Sequence, residues 1–205
     1  MKVLAINGSP HPSGSTATAL RLVAEELLAR RIEVEIVHVG LDAVRGCTAC
    51  GHCRQPGVHG CVFTDDPVNA CLEKARESDG ILLGSPVYYG GIAGTMKCFL
   101  DRFFYAGAHL RYKVGAALVC LRRSGGVGAM QQLYNYLNLA QTVLPPTQYW
   151  PVAHGSGQEL MRDAEGVQTL QTLGRNMAWL LQNLAEGGKT VPQPAHIQRV
   201  WTNFI

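Results

Sequence analysis

The chain has 205 residues, a net charge of +3 and seven cysteines, and 47% of its residues are hydrophobic. This length predicts one well-packed domain, and the scattered Lys and Arg residues exclude the basic stripe of a nucleic-acid-binding protein. No apolar run has the length of a membrane helix and the N-terminus enters a strand, so we expect a cytoplasmic protein without a membrane segment. In that compartment cysteines serve as thiols, metal ligands or redox groups before they form structural disulfides.

Short apolar runs and segments of helical periodicity alternate along the chain. The expected strands cover residues 3–6, 33–39, 80–84, 114–121 and 148–153, and the expected helices cover 15–30, 67–78, 95–104, 130–144 and 167–184. Alternating strands and helices favour parallel pairing with the helices packed on the sheet. The sequence therefore predicts an α/β fold with a five-stranded parallel sheet and helices on both faces.

The loop after the first strand is rich in hydroxyl groups and small residues. Pro10 and Pro12 exclude a strand or helix interior, and Ser15 or Thr16 begins the next helix, whose N-terminus favours an anion. The loop lacks the lysine of a nucleoside-triphosphate P-loop and the glycine pattern of a dinucleotide site. It fits a phosphate cradle in which His11 is the one cation, as in the flavin mononucleotide (FMN) site of a flavodoxin-like fold. The alternative is a polar turn that caps a helix.

Two further glycine-bearing loops follow the third and fourth strands, at residues 85–94 and 122–128. The carboxyl ends of parallel strands meet at one edge of the sheet, where open α/β folds bind their ligands. Three loops at that edge favour a flavin site over an ordinary turn.

Four of the seven cysteines lie in an irregular stretch between residues 46 and 66: Cys47, Cys50, Cys53 and Cys61. Three interpretations fit this spacing. Four thiolates can hold a [4Fe-4S] cluster; zinc can use the same thiolates, with His52 or His59 as substitutes; or the stretch is a cysteine-rich loop without metal.

These segments resemble the NADPH-dependent FMN reductase family, which comprises flavodoxin-like oligomeric flavoproteins. Residues 8–16, 85–90 and 97–102 carry the resemblance, which extends to about residue 185. The cysteine motif is similar to that of the iron-sulfur flavoproteins within the family. His11 stands where the family often has Arg, and the loop at 122–126 differs from those flavoproteins. The resemblance implies a strand order of 2-1-3-4-5 and an FMN-binding domain over residues 1–186.

The resemblance also implies which residues hold FMN. It implies a phosphate site (Ser9, His11, Ser15 and Thr16, with the amides of Ser13 and Gly14), a ring site (Pro86, Val87, Tyr88, Tyr89, Gly90 and Gly91) and a pyrimidine-side site (Arg122, Ser124 and Gly125). The cofactor carries the chemistry, so no catalytic side chain is implied. We expect one of the two tyrosines to face the flavin, and Arg122 and Arg123 not to point inward together.

The implied activity is an FMN-dependent oxidoreductase that passes electrons from NAD(P)H to a quinone, an azo compound or a flavin. An alternative is an iron-sulfur flavoprotein that carries electrons between a ferredoxin-like partner and FMN, and a third is a flavin-binding module without turnover. We expect a homodimer or homotetramer. We also expect the tail, residues 187–205, to dock on a neighbouring subunit through Trp201 and Phe204.

Overall fold

The structure is a computed structural model and describes residues 1–198, 200 and 202. Its strands are β1 (Lys2–Asn7), β2 (Glu33–His38), β3 (Gly80–Tyr88), β4 (Gly91–Ile92), β5 (Val114–Leu121) and β6 (Val152–His154). Its helices are α1 (Ser15–Leu28), α2 (Val68–Glu77), α3 (Gly94–Tyr105), α4 (Gly126–Leu139) and α5 (Ala164–Gly187), and short 3-10 helices cover His52–Arg54 and Gly157–Arg162.

Five parallel strands form the sheet in the order β2-β1-β3-β5-β6. This arrangement confirms the predicted α/β, flavodoxin-like fold class and the neighbours of each parallel strand. The prediction omitted β4, which pairs antiparallel with the end of β3. Strand β3 continues four residues beyond its expected end at Gly84, and Tyr89 and Gly90 then turn the chain back with φ angles of 51° and 76°.

The core consists of two apolar clusters, one on each face of the sheet. Leu4 and Ile6 point to the face that α2, α3 and α4 cover, whereas Val3 and Ala5 point to the face that α1 and α5 cover. This alternation along a fully buried strand is what a parallel sheet with helices on both faces requires. Within the described residues no helix has both the length and the apolar character needed to span a membrane.

Several predicted boundaries in the second half of the chain are wrong. Helix α4 begins at Gly126 rather than at residue 130, because Gly125 occupies the left-handed conformation (φ 90°) that starts the helix. It ends at Leu139 rather than at residue 144, because Val143 leaves the helix and pairs with Val114 at the start of β5. The last strand covers Val152–His154 instead of 148–153.

The described part of the tail, residues 187–198, 200 and 202, is exposed. The Arg111 guanidinium of the same chain donates to the carbonyl oxygens of Pro194 (3.4 Å) and Ala195 (3.3 Å). Trp201 and Phe204, on which the predicted docking depends, lie outside the described residues. Docking of the tail on a neighbouring subunit therefore stays a prediction.

Candidate functional site

A cleft of about 450 Å³ opens at the carboxyl edge of the sheet, between the loops after β1, β3, β5 and β6. This volume is in the range of small-molecule sites. Ten of the fifteen residues expected to hold FMN line it: Ser9, His11, Ser13, Gly14, Ser15, Thr16, Pro86, Val87, Tyr88 and Arg122. The three predicted loops thus meet in one cavity, which we call the edge cleft.

One end of the edge cleft is the N-terminus of α1. The helix begins after Gly14, its first turn has no acidic residue, and no side chain in the described part of the chain caps it. The N–H groups of such a first turn favour an anion, and the helix dipole adds to that preference. Ser9 and Thr16 are buried beside this turn, whereas His11 is exposed at its rim.

The loop that carries Ser9 rests on the end of β2. The carbonyl oxygen of Ser9 accepts a hydrogen bond from Nε2 of His38 (2.6 Å), so Nε2 must carry a proton. The chain after β2 passes so close that a Cβ atom at Gly40 would lie 1.9 Å from the same oxygen. His38 therefore supports the loop and Gly40 leaves room for it. Neither role was predicted, because both contacts join residues far apart in the sequence.

Ser15 connects α1 to a loop that the sequence analysis missed. Its hydroxyl donates to the carbonyl oxygen of Gly155 (2.9 Å) and accepts from the backbone N–H of Gly157 (2.8 Å). Gly155, Ser156 and Gly157 form the fourth wall of the edge cleft. This loop has two glycines around a serine and comes directly after a strand, so its composition resembles that of the other three loops. That signal was available in the sequence.

Five residues expected to contact FMN do not line the edge cleft: Tyr89, Gly90, Gly91, Ser124 and Gly125. Tyr89 is fully exposed at the tip of the β3–β4 turn. Gly91 lies in β4, close to the side chain of Gln132, and Gly125 packs under Gly90 at the start of α4. Of the two tyrosines, Tyr88 alone lines the cleft. That one of them faces the flavin stays a prediction.

The adjacent arginines face different cavities, as expected. Arg122 lines the edge cleft, whereas Arg123 and Ser124 line a neighbouring pocket that also contains His154. Nδ1 of His154 lies 3.2 Å from Oδ2 of Asp163. Burial raises the pKa of Asp163, but hydrogen bonds from the backbone N–H groups of His154 and Gly166 outweigh it, so the pKa lies below its usual value. An ionised Asp163 fixes the orientation of the imidazole.

The four clustered cysteines line a second, smaller cavity against α3, which we call the cysteine pocket. Cys47 and Cys50 are exposed, and Cys53 and Cys61 are partly buried. The described residues contain no group of three or more His, Cys, Asp or Glu side chains arranged around a single metal ion. Zinc needs four ligands within about 2.3 Å of one ion, whereas a [4Fe-4S] cluster distributes its thiolates over four irons. Four thiols that line one cavity supply the ligand count of either centre.

Side chains from two helices attach Cys61 to the protein body. Arg102 of α3 donates from Nε to the Cys61 sulfur (3.3 Å) and forms an ion pair with Asp66 that is buried on both sides. Asn69 of α2 accepts from the Cys61 N–H (2.7 Å) and donates to its carbonyl oxygen (2.9 Å). The contact of Arg102 with a cysteine sulfur was not foreseen from the sequence.

The other three cysteines lie outside the cysteine pocket. Cys71 and Cys120 are buried, and burial raises the pKa of both thiols to about 12. Cys98 is partly buried against the core. These positions are typical of cysteines that act as small apolar residues rather than ligands.

Comparisons with known proteins agree with this architecture. A family model described as NADPH-dependent FMN reductase matches residues 1–157. An iron-sulfur flavoprotein of Methanocaldococcus jannaschii is 33% identical over 189 residues, which span 87% of this chain and 96% of that protein. An iron-sulfur flavoprotein of Methanosarcina thermophila is 26% identical over 189 residues, with coverage of 89% and 96%.

Two solved structures show the same fold at lower identity. RosB with bound 8-demethyl-8-formylriboflavin-5'-phosphate superposes with a TM-score of 0.69 at 17% identity, covering 99% of this chain and 92% of RosB. The apo form of the NADH:FMN oxidoreductase EMOB gives a TM-score of 0.59 at 16% identity, covering 89% of each chain.

Proposed function

Because this chain belongs to the NADPH-dependent FMN reductase family, we propose that it is an FMN-dependent oxidoreductase with a second redox centre, a [4Fe-4S] cluster in the cysteine pocket. In this proposal electrons pass between a ferredoxin-like partner and FMN through the cluster. The observation that carries it is that four cysteines spread over fifteen positions, 47 to 61, line one cavity. The relatives named iron-sulfur flavoprotein support it.

The edge cleft is the proposed FMN site. The first-turn N–H groups of α1, together with Ser9, Thr16 and the rim residue His11, hold the phosphate. Val87 and Tyr88 contact the ring, and the Arg122 cation stabilises negative charge on its pyrimidine side. When bound, FMN supplies the electron and hydride chemistry. The chain orients it, and the Ser15 link to residues 155–157 closes the wall of the cleft.

The cysteine pocket is the proposed cluster site, with Cys47, Cys50, Cys53 and Cys61 as ligands. When bound, the cluster supplies one-electron transfer. Phe63 and Tyr105 line the same cavity. Cys47 and Cys50 are exposed, so the outer side lies where a partner protein can approach.

A second candidate function is an NAD(P)H-dependent reductase of a small acceptor such as a quinone, an azo compound or a flavin. The NADPH in the family description favours it. The two functions use the same FMN site and differ in the electron donor. In both we propose a homodimer or homotetramer.

The first test is an absorption spectrum and an iron assay on protein purified without oxygen. We expect flavin bands, a broad absorption that bleaches on reduction, and about four irons per chain. Cys50→Ser should lose the iron and the broad absorption and keep FMN. The matched control is Cys98→Ser, which changes a partly buried thiol outside the cysteine pocket and should keep both.

The outcomes separate the candidates. Iron-loaded protein that a reduced ferredoxin reduces, with this reduction lost in Cys50→Ser, supports the cluster pathway. Flavin bands without iron, together with NAD(P)H oxidation, leave the second candidate. Protein that FMN does not reconstitute contradicts both.

A further inference from the structure

Arg102 is among the largest fully buried side chains in the described residues, with 1% exposure. It lies on α3 between Phe99 and Phe103, which face the apolar core. A guanidinium keeps its charge in a protein, and burying it is costly unless it is paired. The pairing here includes one buried carboxylate and one cysteine sulfur, those of Asp66 and Cys61.

The Arg102 guanidinium contacts other groups through all three of its nitrogens. Nε donates to the Cys61 sulfur at 3.3 Å, Nη1 pairs with Asp66 and also lies 3.4 Å from the carbonyl oxygen of Arg45, and Nη2 donates to the carbonyl oxygen of Phe63 at 3.2 Å. These contacts fix the guanidinium against one edge of the cysteine pocket.

The other cysteines of the pocket have different partners. The Cys47 sulfur accepts from the backbone N–H of Ala49 at 3.5 Å, and the Cys53 thiol lies 4.0 Å from the carbonyl oxygen of Tyr105. In the described part of the chain, the hydrogen bond from a charged side chain goes to Cys61. Cys61 is therefore the one of the four sulfurs that accepts a hydrogen bond from a guanidinium in the described residues.

A cation that donates to a ligand sulfur acts on the redox equilibrium of a cluster. Reduction adds negative charge to the cluster and its thiolates, and an N–H donor stabilises that charge. The effect is stronger in a buried, low-dielectric site than at the surface. The negative charge of the Asp66 carboxylate, next to the guanidinium, opposes this stabilisation of the reduced cluster. Arg102 and Asp66 therefore act in opposite directions on the same redox equilibrium.

We propose that Arg102 and Asp66 together set the reduction potential of the cluster through Cys61. Arg102 raises the potential, Asp66 limits the increase, and both are positioning residues rather than ligands. This inference rests on the proposed cluster in the cysteine pocket and goes beyond it, because it assigns the tuning of that cluster to a particular pair of side chains.

The test is a potentiometric titration of the cluster in the FMN-loaded protein, monitored by electron paramagnetic resonance. Arg102→Gln should lower the midpoint potential by the equivalent of about tenfold in the reduction equilibrium, about 59 mV for one electron. Asp66→Asn should raise it, and the double variant should lie between the two. In the wild type the backbone N–H of Val68 donates to Oδ1 of Asp66 (3.1 Å), and the side-chain oxygen of Asn can still accept this hydrogen bond.

The matched control is the Lys97–Asp101 ion pair, which lies on the same helix at the surface. Lys97→Gln and Asp101→Asn should leave the potential within the error of the wild type, because exposed charges are screened. FMN content and circular dichroism report the fold of each variant. If Arg102→Gln does not retain iron, the rise expected in Asp66→Asn still tests the proposal.

Opposite shifts from Arg102→Gln and Asp66→Asn support the inference, as does a rise in Asp66→Asn alone when the other variant loses its cluster. Equal potentials in iron-loaded Asp66→Asn and wild type, or a fall in Asp66→Asn, overturn the inference and leave the proposed function standing. A wild type that takes up no iron overturns both.

Discussion

The edge cleft and the cysteine pocket are built in different ways. The edge cleft uses the ends of four parallel strands, so backbone that the sheet already fixes brings its residues together. The cysteine pocket belongs to a stretch between β2 and α2 whose one described helical segment is the 3-10 turn His52–Arg54. Side chains such as Arg102 and Asn69 hold that stretch in place.

This difference predicts which kind of substitution disrupts each site. A site supported by backbone is sensitive to crowding, because a close approach of two chains leaves no room for an added atom. A site supported by a few side chains is sensitive to the loss of one polar group, because buried partners are then left without hydrogen bonds. Changes in one site should therefore leave the other intact, and three variants test this separation.

The largest effect is expected for Gly40→Ala in the edge cleft. The added Cβ would lie 1.9 Å from the carbonyl oxygen of Ser9, and backbone on both sides must move. A cost of about 3 kcal/mol corresponds to roughly 100-fold weaker FMN binding, measured by flavin fluorescence. Gly187→Ala is the control, because nothing lies within 4 Å of a Cβ at that position. A loss of iron equal to the loss of FMN would contradict the separation.

A smaller effect is expected for Asn69→Ala at the cysteine pocket. The substitution leaves the N–H and carbonyl groups of Cys61 without their 2.7 Å and 2.9 Å partners. A cost of about 1.4 kcal/mol is typical of such a loss, so iron should pass to a chelator about tenfold faster while FMN affinity stays unchanged. Asn176→Ala, which removes an exposed bond to the carbonyl oxygen of Pro146, should not alter iron release.

The smallest effect is expected for Ser15→Ala. Its hydroxyl bridges Gly155 and Gly157 in the wall of the edge cleft, and the loss of about 1 kcal/mol should weaken FMN binding about fivefold. Titration of the apoprotein with FMN measures it. Ser78→Ala removes a 2.7 Å hydroxyl bond to the carbonyl oxygen of Lys74 on α2. That control should lower stability without changing FMN affinity; equal FMN losses in both variants would show that Ser15 acts on stability alone.

Periodicity predicted the regular part of the fold well. The expected range of β5, residues 114–121, agrees with the structure, because eight consecutive buried residues leave little choice of boundary. Boundaries were missed where tertiary pairing decides them. Val143 continues the helical pattern of α4 yet pairs with Val114, and β3 extends past Gly84 because β5 supplies a partner as far as Cys120.

The sites show the same difference between what local sequence patterns predict and what tertiary contacts decide. Loops that follow strands were expected to meet, and ten of the fifteen residues expected to hold FMN line one cleft. The support from His38 depends on a contact across the fold that no local pattern carries, whereas the composition of residues 155–157 was a local signal that went unused. For the cysteines, spacing indicated a cluster, zinc or no metal, and the structure adds that all four thiols line one cavity.

The fully buried residues of both apolar clusters lie outside residues 45–67. Burial of apolar surface is the main driving force of folding, and here that surface is complete without the cysteine stretch. Many small metal-binding domains, in contrast, gain their folded state from the metal itself. The chain can therefore fold without the cysteine stretch, and the proposed cluster would be built afterwards, from the side of the cysteine pocket where Cys47 and Cys50 are exposed.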